Sequence, residues 1–278
     1  GPAKSVLYQE QQPQFSEPRQ ILERYPAAGG AASATTFGGM AWRVGSMLDA
    51  RETVLLELLQ RLLVGHAGAP LMKHLTEAKV GSKLLLQGFQ AIGRESCFTL
   101  AMDSIVQGRF PEFEHLVLSC LKEVAEGRFD DGSVDGAFHC VASARHDMRD
   151  IFWSLIGFEN LPAALYGDDP FARLRVNDLL AFWRERYAKN NRIFNEMITE
   201  KLLGNPHRVS VLMEPNSAAK EWREEEQRTR LEAAKSTLDN EARRTLLEQQ
   251  AARENLERLP DRPEDLAGHL FRAGRADQ

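Results

Sequence analysis

The chain has 278 residues, of which 43% are hydrophobic and 27% are charged, and its formal net charge is −5 at pH 7. This charge excludes a bulk basic surface of the kind that attracts nucleic acid or anionic lipid, and no apolar run approaches the ~18 residues of a membrane span. We therefore expect neither a nucleic-acid partner nor a membrane.

The first segment, residues 1–18, is polar and has no hydrophobic period. Its Gly1-Pro2 start resembles the scar of a removed fusion tag and is left out of the fold prediction. Two strands follow, Gln20–Tyr25 and Thr35–Val44, with a loop of small residues between them.

A leucine-rich helix is predicted after Asp49. Asp49 and Glu52 have the spacing of a capping box, and leucines repeat at helical spacing as far as Leu63. Gly65 is expected to end this helix with a positive φ. A second short helix, Pro70–Ala78, begins with proline in its first turn, where no N–H is needed.

The middle of the chain continues the alternation of strands and helices. The predicted elements are strands Lys83–Ala91 and Cys97–Val106, helices Pro111–Glu126 and Asp130–Leu155, broken helical pieces over 157–204, and a last strand Arg208–Met213. Strand–strand–helix alternation with antiparallel hairpins predicts an α+β fold, in which a mostly antiparallel sheet carries helices packed on one face. We expect this domain to span residues 19–215.

The C-terminal part has a different composition. Residues 216–258 contain nine Lys or Arg and ten Asp or Glu, a pattern typical of a solvated helix that bridges other parts. A break near Ser236-Thr237 predicts a charged helical hairpin over residues 216–259, with arms of ~30 Å each. Residues 260–278 are predicted to be a tail without regular structure.

The sequence holds no complete metal site or nucleophilic site. His74 and Glu77 give His-x-x-Glu, but Ala78 stands where an inverted zinc motif requires a second histidine. His139 and His146 lie two helical turns apart, which is too far for one metal. Cys97, Cys120 and Cys140 have no CxxC spacing, and we expect three free thiols packed as small hydrophobes.

Two segments carry a resemblance to a known family. They read AALYGDDPFARLRVND from Ala163 and LLGNPHRVSVLMEPNSAAKEWREEEQRTRLEAAKSTL from Leu202. Together with FSEPRQILERYP and the leucine helix that ends LLVGHAGAP, they resemble pitrilysin/insulysin-type zinc metallopeptidases, in the presequence-protease-like subfamily that includes falcilysin. The resemblance covers about Phe15 to Asp265 and corresponds to the second domain and the connecting helical hairpin.

The resemblance implies a piece of a clamshell peptidase that encloses and cuts unstructured peptides. Its zinc would be held by a catalytic domain, and the partners of this piece would be that domain, the C-terminal half of the same polypeptide and peptide substrates. No zinc ligand transfers to this chain, so no cofactor is expected here, and the fragment alone is predicted to be inactive. An organelle matrix, mitochondrial or plastid, or another peptide-degrading compartment is the implied location.

The resemblance also implies a substrate site. In insulysin-like relatives a glycine-rich turn after the domain-two helix anchors the N-terminal end of a peptide, and the matching turn here is Gly65, His66, Ala67 and Gly68. The alternative is an ordinary helix-ending turn with a surface histidine. At the level of the whole protein, the alternatives are an inactive structural or interaction module of the same family and a free-standing helical adaptor.

Overall fold

The computed structural model describes residues 12–26, 35–92, 94–146, 164–166, 168–169 and 171–258. The chain divides into two units, one that ends at Ala219 and one that begins at Lys220. Across the described ranges, each helix is too short or too polar to cross a membrane.

The first unit is built on one five-stranded sheet. Its strands are β1 Arg19–Pro26, β2 Phe37–Ser46, β3 Lys83–Ile92, β4 Glu95–Asp103 and β5 Arg208–Asn216. The strand order is β1-β5-β2-β4-β3. β1 pairs with β5 in parallel, and the other three pairs are antiparallel.

This order confirms the predicted mostly antiparallel sheet and corrects one detail. β3 and β4 form a hairpin across Arg94, but β1 does not pair with β2 because β5 lies between them. Gln20 pairs with Ser210, and Met40 pairs with Ser210 from the other side. The last strand therefore lies in the interior of the sheet, between β1 and β2, which explains its β-branched sequence.

The helices cover one face of this sheet. They are α1 Ala50–Val64, α2 Pro70–Ala78, α3 Phe110–Glu126, α4 Asp131–His146, α5 Val176–Lys189 and α6 Ile193–Met197, which continues as a π-helix over Ile198–Leu203. The end that was predicted for the fourth helix, 147–155, lies outside the described residues.

Alternate side chains of the two central antiparallel strands form the base of the core. Met40, Trp42 and Val44 of β2 are buried together with Phe98 and Leu100 of β4, and they pack in one cluster with the apolar side of α1. The residues between them are only half-buried. This alternation is the pattern of a sheet with one covered face, and the α+β fold class is confirmed.

The carboxyl end of α3 is capped by side chains from the start of α6, about 70 residues later in the chain. Asn195 Nδ2 donates to Val124 O at 2.6 Å and to Gly127 O at 3.4 Å. Arg192 donates to Ala125 O at 3.0 Å. These donors satisfy carbonyls that a helix end leaves without intrahelical partners, and they connect α6 to α3.

The second unit consists of two charged helices, α7 Ala219–Thr237 and α8 Asn240–Arg258, with Ala219 belonging to the first unit. Their length, 19 residues each, gives about 28 Å per helix, close to the predicted arms. From Lys220 to Arg258 nearly every residue is exposed, including the leucines. Asp239 accepts from Ala242 N and so caps the start of α8.

Candidate peptide-binding turn

The turn at residues 65–68 follows directly from the end of α1. Gly65 N–H donates to Arg61 O at 3.1 Å, and Gly65 has φ −72°. The expected positive φ is therefore wrong. Glycine is needed for a different reason, because a Cβ at this position would lie 2.5 Å from Arg61 O.

All four residues of the turn are exposed. The turn is closed by a hydrogen bond from Ala69 N–H to His66 O at 2.9 Å, and Ala69 itself is buried at the start of α2. Within the described part of the chain, the N–H groups of His66, Ala67 and Gly68 have no backbone acceptor. Because these residues are exposed, N–H groups without a backbone acceptor can bind the carbonyl groups of a peptide.

A cavity of about 320 Å³ lies beside this turn. His66 and Gly68 line one side of it, and the opposite side comes from the junction of α3 and α4, with Glu123, Arg128 and Asp130. The structure thus brings the predicted turn next to charged residues more than 50 positions further along the chain. Nothing in the local sequence around the turn indicated these neighbours.

The charged groups around the cavity already have local partners. Arg128 Nη2 lies 2.9 Å from Asp131 Oδ1. Asp130 accepts from Ser133 N–H at 2.8 Å and from Ser133 Oγ, and these hydrogen bonds hold the pKa of Asp130 below its usual value. At neutral pH the cavity is therefore lined by the ionised carboxylate of Asp130, with the exposed residues of the turn on its other side.

His74, the strongest metal candidate in the sequence, has its ring occupied. Its Nδ1 lies 2.8 Å from Pro70 O, and its Nε2 lies 3.6 Å from Glu123 on α3. Glu77 is not its partner in these contacts. Across the described residues, no group of three or more His, Cys, Asp or Glu side chains could hold a metal ion, and the His-x-x-Glu pair does not fit a zinc site.

A thiol, an imidazole and a carboxylate lie in a row here. Cys120 Sγ is 3.5 Å from His74 Nδ1, and His74 Nε2 faces Glu123. The thiol is not a nucleophile, because burial raises the pKa of Cys120 to about 12. The Nδ1 proton is directed to Pro70 O, so this nitrogen cannot accept the proton of the thiol.

The other predicted residues lie apart from the turn. Cys97 is half-buried and burial raises its pKa, as expected for a packed thiol. Cys140 is exposed, so the expectation of three packed thiols is wrong for it. It sits on the outer side of α4 beside the exposed His139. The orientation of the His146 side chain lies outside the described residues.

Comparisons with known proteins give a consistent set of relatives. Presequence protease 1 of Arabidopsis thaliana is 27% identical over 263 residues, which are 91% of this chain and 24% of the relative. The mitochondrial presequence protease of Gibberella zeae is 27% identical over 82% of this chain and 23% of its own length. The chain thus spans about a quarter of the length of these relatives. No protein-family model matches the chain.

Solved structures support the fold. The inactive peptidase domain of a zinc protease from Bordetella parapertussis aligns with a TM-score of 0.53 at 13% identity. The alignment covers 69% of this chain and 95% of that domain. The chain thus has the fold of this peptidase domain and is similar in sequence to part of the presequence proteases.

Proposed function

We propose that this chain is the non-catalytic second domain and connecting helical hairpin of a zinc metalloendopeptidase that degrades unstructured peptides in an enclosed chamber. The observation that carries this proposal is the alignment of 91% of the chain with about a quarter of a presequence protease. In this proposal residues 19–215 form part of the chamber wall, and residues 216–259 form the flexible connection between the two halves.

The proposal assigns the zinc to another part of the longer polypeptide. The sequence of this chain contains neither His-x-x-Glu-His nor His-Glu-x-x-His, and both ring nitrogens of His74 face other groups. Zinc would supply a Lewis acid and an activated water in the catalytic domain. The residues described here would enclose the peptide and hold it, with no direct part in bond cleavage.

The turn at residues 65–68 is the proposed anchor for the peptide. Its N–H groups without a backbone acceptor would bind main-chain carbonyls, which every peptide offers regardless of its sequence. This property suits an enzyme that accepts many unstructured peptides. The carboxyl groups of Glu123 and Asp130 line the adjacent cavity, and they would attract the free amino terminus of a bound peptide.

The anchor can be tested in the full-length enzyme with two substitutions. His66→Ala and Gly68→Val should both raise KM with little change in kcat, because they weaken binding far from the reacting bond. Gly68 tolerates a side chain, since a Cβ there would come no closer than 3.4 Å to another residue. Gly65 is unsuitable because its Cβ would collide with Arg61.

His139→Ala is the matched control, since His139 is also an exposed histidine but lies outside the cavity lining. Its KM should equal that of the wild type. An unchanged KM in both His66→Ala and Gly68→Val would remove the anchor and leave the turn as an ordinary helix-ending turn.

The charged helices fit the role of a solvated connection. Ion pairs four residues apart stabilise each helix from within, as between Arg244 and Glu248 at 2.9 Å and between Arg253 and Glu257 at 2.9 Å. Such a helix does not depend on a packed apolar side, so it can remain helical while its surroundings open and close.

The relatives' names include mitochondrial and chloroplastic proteins, and we propose an organelle matrix or a comparable peptide-degrading compartment for the parent protein. The alternative is an inactive module of the same family. A His-x-x-Glu-His motif elsewhere in the parent polypeptide favours the peptidase, and its absence there favours the inactive module.

A further inference from the structure

The segment before β1 is held to the sheet through its backbone by two side chains. Arg43 Nη1 donates to Gln12 O at 3.0 Å. Phe15 N–H donates to Nδ1 of His207 at 3.4 Å. We call residues 12–15 the strap, and these contacts connect it to β2 and to the turn before β5.

Aromatic contacts reinforce the second attachment. The rings of Phe15 and His207 are stacked with their centroids 3.9 Å apart and an angle of 17° between their planes. The guanidinium carbon of Arg19 lies 3.8 Å from the centre of the Phe15 ring. The strap is therefore fixed mainly at Phe15.

His207 itself is held rigidly. His207 is buried, with only 6% of its surface exposed. Its backbone N–H donates to Asn205 Oδ1 at 2.9 Å, and its backbone carbonyl accepts from Arg43 N–H at 3.1 Å. These hydrogen bonds fix the main chain that carries the imidazole at the start of the β2–β5 pairing.

The surroundings of His207 favour the neutral imidazole. Burial lowers the pKa of His207, and the nearby positive charge of Arg43 lowers it further, whereas Glu95 opposes this effect. Arg19 also lowers the pKa of His207. Arg43 and Glu95 form an ion pair at 2.8 Å, so the carboxylate is already engaged.

The π-helix that follows α6 places two more charged side chains near His207. Lys201 and Glu200 line the same cavity of about 390 Å³ as His207. Lys201 lies 2.8 Å from Glu52 and 3.7 Å from Glu200, so its charge is balanced by local carboxylates. The groups that act on the imidazole are therefore chiefly the two arginines and Glu95.

We propose that His207 is a pH-sensitive latch, which holds the strap while its imidazole is neutral and releases it when the imidazole is protonated. The neutral ring carries its proton on Nε2 and offers the lone pair of Nδ1 to Phe15 N–H. A proton taken up from solvent occupies Nδ1, so two donors then face each other and the hydrogen bond is lost.

The charges around His207 also disfavour the protonated imidazole in the folded chain. The imidazolium would gain an attraction to the Phe15 ring, but Arg19 already lies over that ring and Arg43 repels the new charge. The folded chain therefore binds this proton less readily than the unfolded chain, whose histidine titrates at about 6.5. The stabilising effect of the latch is complete above that pH and decreases as the pH falls below it.

Hydrogen exchange of the Phe15 amide, resolved by NMR at pH 7.5 and 5.0, tests the latch. After correction for the intrinsic pH dependence of exchange, protection in the wild type should fall about fivefold at pH 5.0, the equivalent of one lost hydrogen bond of about 1 kcal/mol. The amide of Leu100 in the central strand β4 should keep its protection, which shows that the unit remains folded.

Two variants separate the latch from general acid effects. In His207→Asn the side-chain oxygen can accept from Phe15 N–H at every pH, so protection should be weaker but equal at both pH values. His139→Asn removes an exposed histidine and should retain the wild-type response. Equal protection at both pH values in the wild type, or a fall that persists in His207→Asn, would overturn the proposal.

Discussion

Replacing Asn195 with alanine should destabilise the first unit, because this side chain caps the end of α3 from a different part of the chain. Asn195 is 1% exposed, and its Nδ2 donates to Val124 O at 2.6 Å and to Gly127 O at 3.4 Å. Alanine would leave the carbonyls of the half-buried Val124 and the exposed Gly127 without this amide donor. A buried group that loses its partner costs about 1–3 kcal/mol.

The surroundings of Asn195 narrow the expected loss in the free energy of unfolding. Asn195 Oδ1 is buried without a hydrogen-bond partner among the described residues, so its removal costs nothing, and Arg192 still donates to Gly127 O at 3.3 Å. We therefore expect a loss of about 1–2 kcal/mol, which is the lower part of the range for one buried group. Asn195→Asp should cost more, because a carboxylate oxygen would then face the carbonyl of Val124.

The assay is equilibrium unfolding in urea at pH 7.5, followed by tryptophan fluorescence, to which the fully buried Trp42 contributes. In a thermal scan each kcal/mol should lower the Tm by about 2–4 °C for a unit of this size. Asn191→Ala is the control, since Asn191 is exposed. If Asn195→Ala unfolds within about 0.5 kcal/mol of the wild type, the capping role is refuted.

Three further outcomes follow from the structure. Gly88 and Gly108 both have positive φ, but a Cβ at Gly88 would lie 2.4 Å from the Gln60 side chain, whereas Gly108 faces open space. In urea unfolding, Gly88→Ala should therefore be more destabilising than Gly108→Ala by about 1–3 kcal/mol. A thiol reagent at pH 8 should modify the exposed Cys140 first and reach Cys120 only on unfolding, as mass spectrometry of the labelled peptides would show. Trypsin should cut the folded chain first within residues 220–258, whose basic residues are exposed. Initial cleavage inside β2 or β4 would contradict this prediction.

The sequence predicted the elements well because their signals are local. The leucine spacing after Asp49, the proline at the start of α2 and the β-branched residues of the last strand each depend on a few neighbouring positions. Asp49 accepts from Glu52 N–H at 3.0 Å, as the capping spacing predicted. Fold class followed from the order of these elements.

Features that depend on distant pairing could not be predicted in the same way. Nothing local to β1 indicates that its partner is β5, which lies about 190 residues further along the chain. The same holds for the contact between Cys120 and His74, which come from α3 and α2. The conformation of Gly65 was mispredicted because a helix can also end in a glycine that is required by close backbone approach.

We propose that the zinc and the catalytic residues of a parent peptidase lie outside this chain. This proposal is tested most directly by purifying the chain, measuring its bound zinc by inductively coupled plasma mass spectrometry, and assaying it on an unstructured fluorogenic peptide. We expect zinc far below one equivalent and no cleavage above the background. One equivalent of zinc together with peptide cleavage that a chelator abolishes would contradict it.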